Sequence, residues 1–393
     1  MSIIVTGGDG YIGWPTALRI ADRTDQRVLI VDNGARREWV SEVGATSATP
    51  VASLDERLDA AREVHGLSNL SAVEGDLADR AFVDELLEVH DPAAVVHAAA
   101  QPSAPYSQIN GERANYTQHN NMQATRNLVF GLHEHDLTDT HFIETTTTGV
   151  YGAPEFPIPE GGATMENQGE RDDVPFPAMG GSWYHQSKSH DAANLRLAAG
   201  QFDLPISDVR TAITYGTETE ETRADDRLKT RFDFDYYFGT VAHRFCAQAV
   251  AGYPVTVYGK GEQRKPFIGL EDAVEGLARL ALADPAERPE DLTVYNQVTR
   301  AISIVEVAET IADVGADHGL DVAVEHFENP RDEDETHKMV IENDRYLDVI
   351  GGQAQTFEEG VEDIFGTLTR YGDTIAAHED RFLPGVLEER AEG

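Results

Sequence analysis

Cysteine and long apolar runs are scarce in this chain of 393 residues. Cys246 is the single cysteine, which excludes an internal disulfide and a cysteine-based metal cluster and predicts a small buried residue. No apolar stretch approaches the roughly eighteen residues that a membrane-spanning helix needs. The first residues enter an apolar strand rather than a charged and apolar leader segment. We therefore expect a cytoplasmic protein without a membrane span.

Positive charge is scarce as well. The chain has 31 lysines and arginines against 70 aspartates and glutamates, a formal net charge of −39 at pH 7. This excess of negative charge argues against a nucleic-acid partner. The acidic residues are dispersed along the chain, which is typical of halophilic proteins, although an acidic protein adapted to ordinary salt is the alternative. The fourteen histidines are scattered, so no metal site is expected.

Short apolar strands alternate with helical patterns through the first half of the chain. This alternation predicts a Rossmann-type α/β fold, a doubly wound parallel sheet with a smaller C-terminal α/β substrate lobe. We place the dinucleotide-binding domain at residues 1–216, with return segments around 268–297, and the substrate lobe with acidic C-terminal helices at 217–393. The predicted strands are residues 3–5, 28–31, 71–73, 94–97, 141–144 and 206–210.

Other segments have weaker patterns. Residues 34–66 are an insertion, in which the small and polar segment 46–53 predicts a loop that folds over a bound cofactor. Further along, residues 240–251 predict a helix and PVTVYGKG predicts a strand that ends in a turn. Residues 357–393 have a helical period and acidic composition.

Three glycines mark the first strand-to-helix turn. In IIVTGGDGYIG, Gly7, Gly10 and Gly13 follow an apolar strand and precede an amphipathic segment. Glycine lets the backbone turn tightly and approach a pyrophosphate, whose charge then faces free N–H groups at the helix start. The pattern therefore predicts a dinucleotide site, with an ordinary βαβ unit as the alternative.

The residues after the second strand bear on which dinucleotide binds. Asp32 lies about twenty residues beyond the glycines, where a carboxylate accepts hydrogen bonds from the adenosine ribose and favours NAD over NADP. Arg36 and Arg37 follow closely and are suited to a 2′-phosphate. NAD is the prediction, and NADP stays the alternative.

A tyrosine and a lysine are spaced four residues apart in SWYHQSKSH. If this segment is a helix, Tyr184 and Lys188 share one face, so the ammonium lies near the phenol and favours its anionic form. Thr147 lies at the end of a strand in IETTTTGVYG, where its hydroxyl can hold a sugar alcohol while Tyr184 takes the proton. This pattern is common by chance, and its position after a dinucleotide turn favours a catalytic base over a solvated helix face.

Together these motifs resemble the extended short-chain dehydrogenases, the NAD-dependent epimerases and dehydratases of nucleotide sugars. Within that family the chain is similar to the UDP-sulfoquinovose synthases over about residues 2–340. The segments that carry this similarity, in chain order, are GGDGYIGW, VDNGARR, SAPYS, YTQHNN, SWYHQSK, FDYYFGT, HRFCAQA, TVYGKGEQ, VYNQ and ENPR.

The resemblance implies a reaction. UDP-glucose is oxidised at carbon 4 by tightly held NAD, water is eliminated across carbons 5 and 6, sulfite adds to carbon 6, and the ketone is reduced back. It also implies roles by motif. The catalytic residues would be Thr147, Tyr184 and Lys188, with His185 as base at carbon 5 or, alternatively, as a surface histidine.

The resemblance assigns binding residues in the same way. Residues implied to contact NAD are Gly7, Gly10, Tyr11, Ile12, Gly13, Asp32, Asn33, Arg36, Asp76, Leu77, Asn121 and Lys188. Residues implied to contact the sugar nucleotide are Gln101, Tyr106, Thr147, Tyr184, Arg244, Lys260, Gln263 and Arg331. Members of this family often form homodimers through two helices, one of which carries the tyrosine and lysine, so a homodimer is expected.

The chain departs from the synthase pattern near the expected sugar. Ala100 and Val150 stand where the synthases have glutamates, Pro102 stands where they have an arginine, and Thr148 replaces a methionine. These differences leave the hydride-transfer residues intact but weaken the prediction of elimination and sulfite capture. A nucleotide-sugar 4-epimerase is therefore the alternative, and a non-catalytic dinucleotide sensor is a further one.

Overall fold

A computed structural model describes residues 2–176, 179–328, 338–352 and 355–384. Within these ranges the strands, in chain order, are β1 (Ser2–Thr6), β2 (Arg27–Asp32), β3 (Leu70–Glu74), β4 (Pro92–His97), β5 (His141–Thr147), β6 (Gly162–Asn167), β7 (Glu170–Pro175), β8 (Ile206–Thr211), β9 (Ile213–Tyr215), β10 (Val255–Tyr258), β11 (Arg264–Gly269), β12 (Leu292–Gln297), β13 (Arg300–Ser303) and β14 (Val324–Phe327).

Helices connect these strands. In the same ranges they are α1 (Gly13–Arg23), α2 (Ala35–Glu42), α3 (Leu54–His65), α4 (Arg80–His90), α5 (Ala104–Ser107), α6 (Gly111–Glu134), α7 (Trp183–Phe202), α8 (Val241–Ala251), α9 (Leu270–Ala281), α10 (Ile304–Asp317), α11 (Asp344–Ile350), α12 (Phe357–Leu368) and α13 (Gly372–Ala376).

Seven parallel strands form the central sheet in the order β12-β8-β5-β4-β1-β2-β3. The six strands predicted for the first half are all present in this sheet and confirm the Rossmann-type fold class. The strand order reverses between β1 and β4, so the crevice for a ligand opens at the carboxyl ends of these strands. The seventh strand, β12, returns from later in the chain to the edge beside β8.

Helices cover both faces of this sheet, because its strands are apolar on both sides. On one face, Trp14 and Leu18 of α1 pack with Leu277 of α9. On the other face, Leu128 of α6 and Leu195 of α7 are fully buried against the strands. This second packing fixes α7, the helix that carries Tyr184 and Lys188, beside the end of β5.

A second hydrophobic core joins α8, β10, α10 and α12, with Phe245, Val257, Ile311 and Phe365 at its centre. The helix predicted for residues 240–251 and the strand in PVTVYGKG are both confirmed here. Cys246 is buried in this core, as expected for a small apolar residue. The domain boundary at residue 216 stays a prediction.

The insertion between β2 and β3 contains the helices α2 and α3. Between them, residues 43–53 are neither helix nor strand, apart from an isolated bridge at Ser47, which confirms the predicted loop. At the other end of the chain, the helical period of residues 357–384 corresponds to α12 and the short α13. In the described part of the chain, no helix is long and apolar enough to cross a membrane.

Candidate active site

A cavity of about 1180 Å³ lies at the carboxyl ends of the central strands. One wall is the glycine-rich turn after β1 and the end of β2. The opposite wall contains the end of β5 and the start of α7, and the second core contributes residues of α8 and β11. The cavity therefore joins the predicted dinucleotide site to the predicted sugar site.

The glycine-rich turn needs glycine for conformational and steric reasons. Gly7 has a φ of 70°, and a Cβ atom there would lie 2.7 Å from the carbonyl oxygen of Ala98. A Cβ on Gly13 would overlap the carbonyl oxygen of Gly7. The next helix, α1, begins at Gly13 without a side-chain cap at Ile12. The Trp14 N–H donates to the Gly10 carbonyl oxygen and Pro15 has no N–H, so the Gly13 N–H is the donor of this first turn that is available to an anion at the cavity.

Asp32 lies at the end of β2 on the cavity wall. Its Oδ2 accepts a hydrogen bond from the Asp9 N–H at 2.9 Å, and its Oδ1 accepts one from the Gly34 N–H at 2.8 Å. Each carboxylate oxygen has two lone pairs, so both can also accept from ribose hydroxyls. Burial raises the pKa of Asp32, while these two N–H groups lower it.

The two arginines that follow Asp32 are already engaged by acids. Arg36 donates to Asp233 at 2.6 Å and lies 4.0 Å above the ring of Phe238. Arg37 forms a two-pronged ion pair with Asp9, at 2.6 and 2.8 Å. A 2′-phosphate would have to compete with these carboxylates, which favours NAD over NADP.

Arg37 also fastens the loop of residues 43–53 to the glycine-rich turn. Its guanidinium donates to the carbonyl oxygens of Val51 and Ala52, at 3.2 and 2.6 Å, while it holds Asp9. Arg57 of α3, fully buried, contacts Asp9 from the other side at 3.1 Å. We name Asp9, Arg37, Arg57 and residues 51–52 the turn clamp. The sequence indicated the loop but not this clamp, because its partners are distant in the chain.

The catalytic residues predicted from the sequence converge at one point of the cavity. Thr147 ends β5, and its side chain hydrogen-bonds to Tyr184 in the first turn of α7. Lys188 follows one helical turn later and also lines the cavity. The spacing of four residues therefore does place the phenol and the ammonium on one face of a helix.

Burial prevails over the ammonium in setting the ionisation of Tyr184. Burial raises the pKa of the phenol, whereas the Lys188 ammonium and the hydrogen bond to Thr147 lower it, and the net shift is upward. The charge of Lys188 does lower the pKa of Tyr184, as the sequence predicted, but burial raises it by more, so the phenol is harder to ionise than a free tyrosine. The sequence missed two acids that oppose it, Glu144 and Asp191.

His185 faces the cavity next to Tyr184, with 5.2 Å between the two ring centroids. Its imidazole packs on Gly149, where any Cβ atom would overlap it. Its backbone N–H donates to Ser182, which caps α7. The ring is therefore held against the segment that follows Thr147, a position suited to a proton acceptor at the sugar.

The structure brings most of the other expected binding residues to the cavity. The lining residues among them are Gly7, Gly10, Tyr11, Ile12, Gly13, Asp32, Asn33, Arg36, Asp76, Leu77, Arg244 and Gln263. Ala100 and Pro102, two of the departures from the synthase pattern, line it as well, and so does Lys265. Arg331 lies outside the described residues.

Four expected residues do not line the cavity. Tyr106 is buried and donates its hydroxyl proton to Glu42 at 2.8 Å, and Lys260 lies at a turn away from the cavity wall. Gln101 is fully buried, and its backbone N–H donates to the Asn121 side chain at 2.8 Å. Asn121 in turn donates to Ser187 at 3.0 Å, so it acts by fixing the loop after β4 to α7.

A family model described as the NAD dependent epimerase/dehydratase family matches residues 3–296. The chain belongs to this family. It is 39% identical to the chloroplastic UDP-sulfoquinovose synthase of Spinacia oleracea over 337 residues, 85% of this chain and 68% of that protein. It is also 39% identical to the UDP-sulfoquinovose synthase of Sulfolobus acidocaldarius over 339 residues, 86% of this chain and 84% of that protein.

Solved structures of epimerases have the same fold. The UDP-glucuronic acid 4-epimerase of Bacillus cereus, in complex with UDP-glucuronic acid and NAD, matches with a TM-score of 0.68 at 18% identity, over 94% of this chain and 99% of that one. The UDP-glucose 4-epimerase of Thermotoga maritima, with UDP-glucose, matches with a TM-score of 0.67 at 19% identity, over 95% and 100%.

The cofactor of this epimerase/dehydratase family member is NAD. The cavity fits it, because a Cβ atom at Gly7 or Gly13 would collide with the backbone, so only glycine lets this turn approach a pyrophosphate, and the Gly13 N–H at the start of α1 is available to its charge. Asp32, which would accept hydrogen bonds from the adenosine ribose, lines the cavity, and so does Lys188. Among the residues described, no group of three or more histidine, cysteine or acidic side chains is placed to hold a metal ion.

Proposed function

We propose that this chain is a UDP-sulfoquinovose synthase, which converts UDP-glucose and sulfite to UDP-sulfoquinovose and water. The observation that carries the proposal is the meeting of Thr147, Tyr184, Lys188 and His185 at one cavity. The identity of 39% to two synthases, over most of the chain, supports this choice among the reactions of the family.

The chemistry follows from the positions of these side chains. The glycine-rich turn and Asp32 would hold NAD, which when bound would supply the hydride acceptor for carbon 4 of the sugar and later the hydride donor. Tyr184, oriented by Thr147, takes the proton of the carbon 4 hydroxyl, which leaves a ketone. The ketone acidifies the hydrogen at carbon 5, which His185 removes as a proton. His185 then passes this proton to the carbon 6 hydroxyl, which leaves as water and gives a double bond between carbons 5 and 6. The sulfur of bisulfite adds to carbon 6, and the proton of bisulfite ends on carbon 5. Return of the hydride to carbon 4, with the Tyr184 proton going to the carbon 4 oxygen, restores the alcohol.

The charges on the cavity wall support anionic substrates. Among the described residues that line the cavity, two carry a carboxylate. Asp32 is the last residue of β2, and Asp76 lies two residues after β3. The remainder of the wall carries the cations Arg244 and Lys265 together with His185. In a protein of net charge −39, the two cations on this part of the wall, away from Asp32 and Asp76, attract a sugar nucleotide and sulfite.

Mass spectrometry of the sugar nucleotide tests the proposal. Purified protein in molar KCl, with NAD, UDP-glucose and sulfite, is expected to yield a species with the mass of UDP-sulfoquinovose, formed only when sulfite is present. A product isobaric with UDP-glucose and indifferent to sulfite would instead identify a 4-epimerase. Val150 and Ala100, which replace two acids of the synthases, are the residues that favour that second candidate.

His185→Gln is expected to reduce formation of the sulfite product by ~10²-fold or more, because a positioned base contributes about that much to a rate. His190→Gln is the matched control, since His190 is exposed on the same helix. Equal product yields from the two variants would remove His185 from the mechanism.

We also propose that the protein is halophilic. Two of the five lysines, Lys188 and Lys229, are buried in ion pairs, which leaves the exposed surface still poorer in positive charge. Self-repulsion of such a surface destabilises the fold in dilute buffer and is screened by salt. The midpoint of thermal unfolding is therefore expected to rise steeply between millimolar and molar KCl, as measured by circular dichroism, and a flat response would contradict the proposal.

A homodimer through α6 and α7 is proposed as well. Phe130 of α6 and Leu197 of α7 are 44% and 57% exposed, on two helices that pack side by side. Exposed apolar residues on adjacent helices are typical of a contact between subunits.

The double variant Phe130→Ser, Leu197→Ser is expected to sediment as a monomer in molar KCl. Phe156→Ser removes an exposed phenylalanine outside both helices and should leave the dimer intact; a monomeric wild-type protein would rule the interface out.

A further inference from the structure

A charged cluster lies buried beneath Tyr184. The Lys188 ammonium donates a hydrogen bond to Glu144 Oε1 at 2.8 Å and lies 3.7 Å from Asp191 Oδ2. The three side chains are at most 2% exposed. Lys188 lines the cavity, whereas the two carboxyl groups that it contacts do not. Two acids thus share one ammonium in a dry part of the protein.

His97 extends the cluster on the side away from the cavity. Its Nδ1 is 2.7 Å from the hydroxyl of Thr6, and its Nε2 is 3.7 Å from Glu144 Oε2. Among the described residues neither His97 Nε2 nor Glu144 Oε2 has a hydrogen-bond partner, although both are buried. The distance of 3.7 Å is too long for a hydrogen bond, so both atoms stay unpaired, and the buried Glu144 oxygen makes the ionised form of this carboxyl group costly.

The ionisation of the cluster agrees with this geometry. Burial raises the pKa of Glu144 to about 8, in spite of the Lys188 ammonium, which lowers it. Burial lowers the pKa of His97, and so does the charge of Lys188, so the imidazole is neutral and the proton of a neutral Glu144 stays on the carboxyl group. Once Glu144 is ionised, its charge and that of Asp191 oppose formation of the Tyr184 anion.

We propose that Glu144 is a positioning residue of the hydride-transfer site: its buried carboxyl group holds the Lys188 ammonium beneath Tyr184, and its negative charge opposes loss of the Tyr184 proton. The inference rests on the proposed function, since it concerns the same tyrosine and lysine. Glu144 touches neither substrate nor cofactor in this arrangement; it acts through Lys188.

The sign of the effect follows from the groups that face this cluster. Tyr184 and Asp191 approach from α7, His97 from β4 and Asp208 from β8. The ammonium of Lys188 is the cation among them. Replacing Glu144 by glutamine keeps an acceptor for Lys188 and removes one negative charge. The Tyr184 phenol should therefore ionise at lower pH in Glu144→Gln than in the wild-type protein.

Spectroscopic titration of Tyr184 tests the inference without any substrate. The ultraviolet absorbance of tyrosinate is followed against pH in molar KCl, and the signal of Tyr184 is isolated as the difference between each protein and its Tyr184→Phe counterpart. We expect the midpoint to move to lower pH in Glu144→Gln. Glu144→Asp keeps the charge, so its midpoint should return toward that of the wild-type protein.

Asp272→Asn is the matched control, because Asp272 is an equally buried acid on α9 that does not line the cavity. A shift in Glu144→Gln alone supports the inference; the same midpoint in Glu144→Gln and wild type, or an equal shift in Asp272→Asn, overturns it.

If Glu144→Gln does not fold, Asp191→Asn is the second variant. It removes the other negative charge near Tyr184 and must move the titration midpoint of Tyr184 to lower pH. Failure of the sulfite reaction alone would leave this titration unchanged, so the two proposals fail separately.

Discussion

Replacing Tyr184 by phenylalanine is expected to lower turnover by ~10² to 10⁴-fold, the contribution of a well-placed acid or base. The phenol is the group within hydrogen-bond reach of Thr147 that can take the proton of the sugar alcohol. Phenylalanine keeps the ring and its packing, so the fold and the cofactor site should persist. Formation of the sugar-nucleotide product, followed by mass spectrometry in molar KCl, measures the loss.

Tyr106→Phe is the control for this variant. The Tyr106 hydroxyl is also buried and hydrogen-bonded, but its partner is Glu42 and it does not line the cavity. We expect Tyr106→Phe to cost some stability and to leave turnover within a few-fold of the wild type. If Tyr184→Phe retained the turnover of Tyr106→Phe, the acid-base role of Tyr184 would be wrong, and the proposed function with it.

Gly7→Ala is expected to abolish retention of NAD. The backbone of Gly7 has a φ of 70°, and the added Cβ atom would lie 2.7 Å from the backbone of Ala98 and Ala99. Neither neighbour is a flexible side chain, so the turn itself must move and lose its approach to the pyrophosphate. NAD released from the denatured protein after gel filtration, measured per polypeptide, gives the result directly.

Gly66→Ala is the control that introduces backbone strain without a steric collision. Gly66 has a φ of 74°, nearly that of Gly7, but a Cβ atom there meets nothing within 4 Å. Alanine at such a φ costs about 1–2 kcal/mol of stability. Gly66→Ala should therefore lower the unfolding temperature and keep NAD. Loss of NAD from both variants to the same extent would show that general destabilisation, and not the collision, is responsible.

The sequence was sufficient to predict the central sheet because its strands are buried on both faces. Residues 3–5 and 28–31 are continuous apolar runs, bounded by turns, and such runs are typical of parallel strands. The edge strand β12 lies within the return segment predicted around residues 268–297, but only its pairing with β8 shows which edge of the sheet it joins. The hairpin of β6 and β7 is mostly exposed and polar, so it has no apolar period to detect.

The site was predictable where one short segment carries the chemistry. Gly7 and Gly13 lie in one turn, and Tyr184 and Lys188 on one helix, so spacing alone relates them. The partners of these residues come from distant strands and could not be inferred from spacing. Glu144 was visible only as an acid in an apolar strand, and its contact with Lys188 depends on how β5 packs against α7.

Tyr106 and Gln101 show a second limit to predicting binding residues from sequence similarity. Both occur in segments that resemble the synthases, and both are buried among protein groups instead of lining the cavity. A segment can be similar in sequence because it supports the site from behind. The hydrogen bonds of Tyr106 to Glu42, and of the Gln101 backbone to Asn121, are supports of this kind.

The turn clamp has a consequence for the kinetics of the cofactor. Arg37 holds Asp9 of the glycine-rich turn and the carbonyl oxygens of residues 51–52 at once, so the loop cannot swing away without breaking several charge-assisted hydrogen bonds together. The loop itself does not line the cavity, so the clamp acts on NAD by holding the glycine-rich turn in place, and we expect NAD to dissociate slowly from a turn held in this way. A catalyst that returns each hydride to the molecule that supplied it gains from such slow exchange, because one bound dinucleotide serves successive turnovers and its concentration in solution drops out of the rate law.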